Sequence, residues 1–190
     1  MKELFLMRHG LTWENKAYIF IGQNDPPLIE EAIEEINKIR LYIKKPDLIF
    51  SSDLKRASET AKLLFPNQKI IFLPQLRERH WGRLEGKSRS LFKEAECYQQ
   101  NGDDAIYRDA GAESLSSVTL RIKYVLNLIK KTDAKSILIV SHGSYLSYFV
   151  NILLSEEFIR HPLNNLHYHK ILFDNQEKVK EVIFNRNWLW

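Results

Sequence analysis

The chain has 190 residues, 44% hydrophobic and 27% charged, with 28 Lys and Arg against 24 Asp and Glu for a net charge of +4. That length supports one well-formed core, so a single domain over residues 1–190 is expected. No apolar run approaches the roughly 20 residues of a membrane helix, and MKELFLMRHG lacks the apolar stretch of a signal peptide.

One cysteine, Cys97, excludes an internal disulfide and fits a reducing cytoplasm. The sequence pI near 9.0 points to nucleic acid or to a small anion. The basic residues are interleaved with acids, as in LRERHWGRLEG, which favours the small anion.

In chain order, residues 4–7 read as a buried strand. Ile29, Ile33, Ile36, Ile39 and Ile43 recur at helical steps and predict a helix from Leu28 to about Lys45, ended by Pro46. Residues 48–50 form a second strand that stops at Ser51-Ser52-Asp53. Ser52 or Asp53 is a candidate N-cap for a helix to about Phe65, and residues 69–73 form a third strand. A short helix is expected around 91–98, with NGDDAIYRDAGAES as loop. Leu115, Val118, Ile122, Val125 and Ile129 mark a long amphipathic helix, and residues 136–140 are the most apolar strand. Leu146, Phe149, Val150 and Leu153 form another helical stripe. The tail alternates as two strands about a turn near Asp174-Asn175-Gln176. Strands alternating with helices predict an α/β fold: three layers, α/β/α, with a mostly parallel sheet and an antiparallel C-terminal edge.

In open α/β sheets, ligands bind beyond the carboxyl ends of the strands. Two strands end there in a His-Gly step, His9-Gly10 and His142-Gly143. If those strands are neighbours, both imidazoles face one crevice. Ser51-Ser52-Asp53 and Glu78 also follow strands. Arg8 precedes His9, and Arg56 lies in the first turn of a helix, where donors for an anion collect. Two His, two Arg and one Glu in this arrangement suit phosphoryl transfer through a histidine nucleophile. Cationic side chains would neutralise the phosphoryl oxygens without a metal.

LMRHGLTWEN resembles the opening signature of the histidine phosphatase superfamily, which includes the cofactor-dependent phosphoglycerate mutases. The resemblance continues in the family's order through GQNDPPL, SSDLKRASETA, LRERHWGRLEG, GAES and VSHGSYL. It implies that His9 is the nucleophile and that Arg8, Arg56 and His142 hold the phosphoryl group. Asn15, Gly22 and Gly143 would line the same pocket, and Glu78 would act as acid and then base. Neither a metal nor another cofactor is implied. The implied ligand is a small phosphorylated metabolite, with no nucleic acid or membrane; assembly as a homo-oligomer is left open.

Glu85 competes with Glu78 for the acid role, and the place of Glu78 after the third strand favours Glu78. His80, His161, His167 and His169 read as structural or surface residues. Trp81 is a candidate wall of the substrate pocket. Trp188 and Trp190 either pack on the body or cover an interface or the pocket mouth.

The sequence departs from the family pattern at Ile29 and Ala32 of PLIEEA and at Ala112 of GAES, all outside the phosphate-binding words. ERHWG resembles the mutase version of its word. The stretch between Lys87 and Gly111 is shorter than the mutase insertion, and offers Lys87, Arg89, Lys93 and Arg108 to a substrate. A mutase must exclude water from phosphohistidine. The short polar cover therefore favours a phosphatase for small phosphomonoesters, with cofactor-dependent phosphoglycerate mutase as the alternative.

Overall fold

The computed structural model describes residues 2–92, 105–156 and 159–188. Along the chain run β1 (Glu3–Arg8), α1 (Trp13–Lys16), α2 (Glu30–Ile39), β2 (Leu48–Ser51), α3 (Lys55–Leu64) and β3 (Ile70–Phe72). Then follow α4 (Ala105–Asp109), α5 (Leu115–Lys130), β4 (Ser136–Ser141), α6 (Gly143–Leu154), β5 (Tyr168–Phe173) and β6 (Val179–Arg186). Short 3-10 turns occupy Pro74–Leu76, Gly82–Leu84 and Arg89–Phe92.

One six-stranded sheet has the order β3-β2-β4-β1-β5-β6. The first four strands are mutually parallel, and β5 and β6 add an antiparallel edge. Alternation along each strand sorts side chains to opposite faces. Leu4, Leu6, Ile137 and Ile139 pack with α5 and α6, whereas Met7, Ile49, Leu138 and Val140 pack with α2 and α3. This is the expected three-layer arrangement. Among the described residues no helix is long and apolar enough to cross a membrane.

In α5, Val118, Ile122, Val125 and Ile129 are buried. Each contributes roughly 1.5–3 kcal/mol by burial, far more than the few tenths that its β-branched residues lose in helix propensity. Packing therefore holds this helix.

Several boundaries differ from expectation. α2 ends at Ile39 rather than near Lys45. Its last turn tightens, with Leu41 N donating to Lys38 O at 3.2 Å and Tyr42 N to Ile39 O at 2.9 Å. The chain then reaches the sheet, where the Asp47 carboxylate accepts the Lys135 and Ser136 amides at 2.9 Å each. The N-cap of α3 is Leu54, not Ser52 or Asp53. Ser52 Oγ accepts the Leu54 amide at 3.3 Å and also meets His142, Asp53 pairs with Arg77, and Asp25 Oδ1 from a distant loop accepts the Lys55 amide at 2.6 Å. Part of the stretch read as loop is the helix α4. Most of the helix expected over 91–98, and Lys93, Cys97 and Trp190 with it, lie outside the described residues. Trp188 stacks on Tyr168, ring centroids 4.0 Å apart, and lies against Phe5 in β1. It packs on the body and is not a lid.

Candidate active site

β1 and β4 are hydrogen-bonded neighbours whose register ends with Arg8 opposite Ser141. The next residue on each strand is a histidine, so the ring centroids of His9 and His142 come within 5.1 Å. After β1 the chain passes to the α2 face, and after β4 to the α6 face. A crevice opens where neighbouring strands send their connections to opposite sides. The structure thus brings the two His-Gly steps to one place.

His9 Nδ1 lies 2.6 Å from Gly10 O, a contact that only an Nδ1–H can make as a hydrogen bond. The other nitrogen, Nε2, then carries a lone pair, and Arg56 Nε donates to it at 3.2 Å. Burial, then Arg56 and Arg8, hold the His9 imidazole well below its ordinary pKa. A neutral ring with its lone pair in the crevice is what a nucleophile requires.

Arg56 is buried, and its orientation is set by backbone. Nη1 donates to Asn24 O and Nη2 to Gly22 O, both at 2.7 Å. Gly22 has φ +56°, and a Cβ there would meet Glu85 Oε1 at 1.9 Å, so only glycine fits. Thr60, one turn after Arg56, donates to Arg56 O at 2.6 Å and accepts the Gly10 amide at 2.9 Å. This ties α3 to the His9–Gly10 loop.

Arg8 donates Nη1 to Leu163 O at 2.9 Å and packs against Gly143, where a Cβ would sit 3.4 Å from its Nε. Burial first, then the charge of Arg89, lower the Arg8 pKa to about 10, and burial lowers Arg56 to about 10. Both stay cationic at neutral pH. His142 Nε2 is 2.9 Å from Ser52 Oγ, and burial with Arg56, His9 and Arg8 holds this ring too well below its ordinary pKa. Two guanidiniums, one buried and one partly buried, beside two imidazoles make a pocket suited to an anion.

Glu78, 7% exposed, brings a carboxylate to this pocket. Oε1 accepts the amides of Arg79 and Tyr145 at 2.9 Å, and Oε2 accepts the Ser144 amide at 3.1 Å. Two of these three donors belong to the first turn of α6, directly after His142. Its charge acts on both Arg8 and Arg56. Glu85 has a different place: its Oε1 accepts the amides of Gln23 and Trp81 at 3.0 Å, fastening two loops.

Asn15 lies beside the His9 backbone. Its Oδ1 accepts Asn165 Nδ2 at 3.2 Å, and the same Nδ2 donates to His9 O at 2.9 Å. Trp81 is held by its neighbours. Its indole is 6% exposed and packs with Phe20 and Tyr107, with the Arg79 guanidinium 4.9 Å from its ring. It braces the Glu78 loop. Among the described residues no group of three or more His, Cys, Asp or Glu is arranged to hold a metal.

A sequence profile of the histidine phosphatase superfamily (branch 1) matches residues 4–186. The chain belongs to this superfamily. A 2,3-bisphosphoglycerate-dependent phosphoglycerate mutase of Bifidobacterium longum (strain DJO10A) is 31% identical, over 83% of this chain and 80% of the mutase. A metal-independent phosphoserine phosphatase of Arabidopsis thaliana is 32% identical, over 76% of this chain and 65% of that protein. Among solved structures, a phosphoserine phosphatase of Entamoeba histolytica in complex with 3-phosphoglyceric acid superimposes with a TM-score of 0.84 at 24% identity, covering 98% of each chain. These relatives support an enzyme of the phosphatase and mutase group.

Within this member of the superfamily, sequence reading left Thr60, Arg79, Arg121 and Asn165 without a role, and gave Ser52 only as a candidate helix cap at a strand end. Thr60 carried one usable signal, its spacing of four from Arg56. Asn165 carried none, because its contacts join residues 150 or more positions apart.

Proposed function

We propose that this enzyme hydrolyses small phosphomonoesters through a phosphohistidine on His9, without a metal. The observation that carries the reading is the orientation of His9, its Nδ1 held at Gly10 O and its Nε2 facing Arg56 in a pocket that also holds Arg8 and His142. His9 Nε2 attacks phosphorus, and the bond from phosphorus to the ester oxygen breaks. Glu78, carrying a proton, delivers it to the leaving oxygen. Glu78 as carboxylate then takes a proton from water. The hydroxide attacks phosphorus, the P–N bond breaks, and orthophosphate leaves His9 as it began. Arg8, Arg56 and His142 stabilise the charge on the equatorial oxygens through both steps.

Arg89 narrows the substrate. It is the charge that acts most strongly on Arg8, and its Nε is buried with no hydrogen-bond partner among the described residues. A phosphomonoester with a second anionic group, such as a carboxylate, would suit this added positive charge. The Arabidopsis relative's name specifies phosphoserine, a substrate of this type.

The mutase reading is favoured by one observation, the similarity to the B. longum mutase over most of both chains. The short stretch between Lys87 and Gly111 favours water access and hence hydrolysis.

Phosphate release from a panel that includes phosphoserine and 3-phosphoglycerate, measured in chelator, tests the reading. We expect release by the wild type and a fall of roughly 10⁴-fold or more in His9→Ala, with an unchanged circular dichroism spectrum. Equal release by the variant, or a loss in chelator that Mg²⁺ restores, overturns it. Conversion of 3- to 2-phosphoglycerate primed by bisphosphoglycerate, without phosphate release, favours the mutase.

A further inference from the structure

The loop that carries Glu78 is fastened from behind by an ion pair that is not among the groups lining the phosphate pocket. Arg121, on α5, grips the Glu113 carboxylate with two parallel bonds, Nε to Oε1 and Nη2 to Oε2, each 2.8 Å. Its third nitrogen, Nη1, donates to the carbonyls of Gln75 at 2.7 Å and Arg77 at 2.9 Å. Glu113 closes the clamp. Its amide donates to His80 O at 2.8 Å, its Oε2 accepts the His80 amide at 3.3 Å, and its carbonyl accepts Arg79 Nε at 2.7 Å. The carbonyls of 75 and 77, the side chain of 79 and both backbone groups of 80 therefore end on one pair, and Glu78 stands in the middle. The Arg121 guanidinium also lies 5.0 Å from the ring of Tyr145, whose amide holds Glu78 Oε1.

An ion pair whose side chains are 18% and 13% exposed is a weak source of stability, because desolvation offsets most of the attraction. Geometry gives a better account of it. Proton transfer requires the carboxyl within hydrogen-bond reach of the leaving oxygen, and an error of about 1 Å can cost roughly 100-fold. We infer that Glu113 and Arg121 form a positioning pair that holds Glu78 in line with His9, setting the rate of the proton-transfer steps without touching substrate. This rests on the reading of Glu78 as acid and base.

The test compares Arg121→Met, Arg121→Lys and Glu113→Gln with Glu78→Gln on two substrates. One is p-nitrophenyl phosphate, whose leaving group departs without a proton; the other is an alkyl phosphate, whose leaving group needs one. We expect Arg121→Met to lower kcat/KM for the alkyl phosphate roughly 10- to 100-fold, and for p-nitrophenyl phosphate about threefold or less. Inhibition by inorganic phosphate should be unchanged, because Arg8, Arg56 and His142 are intact. Arg121→Lys, which keeps the charge but not the fork, should remain impaired on the alkyl phosphate. Equal losses on both substrates, or no loss, overturn the inference. If Arg121→Met does not fold, the same ratio is read on Glu113→Gln, and a ratio near one overturns it there. Leaving-group selectivity in Glu78→Gln but in none of the pair variants sinks the positioning role alone. Its absence from Glu78→Gln sinks the acid assignment as well.

Discussion

Arg56 shows how much a single side chain does here. It donates to the His9 Nε2 lone pair and is aimed by two carbonyls, Gly22 and Asn24. A lysine keeps the charge but presents no planar fork to these three acceptors. We expect Arg56→Lys to lower kcat/KM by roughly 100-fold or more, with inhibition by phosphate weakened in parallel. Retention of wild-type phosphate inhibition would show that this guanidinium does not hold the phosphoryl group. His9, Arg8, Arg56, Glu78 and His142 were legible in the sequence because each places a charged or titratable group at a strand or helix end. Asn165 was not, since it acts on residues near in space and distant in sequence. The packing of Trp81 was hidden for a related reason: adjacency to Glu78 in sequence does not tell which way a ring turns. Phe20 and Tyr107, far apart in the chain, bury it.

At the level of elements, apolar runs placed the inner strands and one-face periodicity the long helices, because burial imposes a pattern that the sequence must carry. Helix ends were less legible. The α3 terminus is capped by Asp25, 30 residues before Lys55, where a local reading looks only at the preceding positions. Because this helix carries Arg56, its cap bears on both stability and the site. We expect Asp25→Ala to cost about 1 kcal/mol, a fall in Tm of roughly 2–4 °C for a chain of this size. A melting temperature equal to the wild type would show that water replaces the cap without cost. The early end of α2 has a similar origin. Leu41 is 77% exposed, so continuing the helix would bury nothing at that position, and the chain turns toward the Asp47 anchor on β4.

Across the whole molecule, three histidines are buried and share a direction of shift. Burial holds His9 and His142 well below their ordinary pKa and lowers His169 to about 4. In the unfolded chain each would titrate near 6.5. Between pH 6.5 and about 4, the unfolded chain therefore binds protons that the folded one refuses, and stability falls as the pH falls. Each histidine contributes up to about 1.4 kcal/mol per pH unit in that window. We expect the urea midpoint of the ligand-free protein to drop steadily from pH 7 to pH 5; a flat midpoint would contradict the buried neutral state.

The sheet order has a separate consequence for how the chain is made. β4 lies between β1 and β2, yet follows both in sequence by more than 80 residues. During synthesis, β1 and β2 emerge with the edges that β4 will cover still unpaired, and such edges recruit other chains. A ribosome-bound fragment ending before residue 136 carries His9, Arg56 and Glu78 and still has no active site, because the strand that aligns them has not been translated. Nascent chains of this enzyme are therefore most dependent on chaperones just before β4 leaves the exit tunnel.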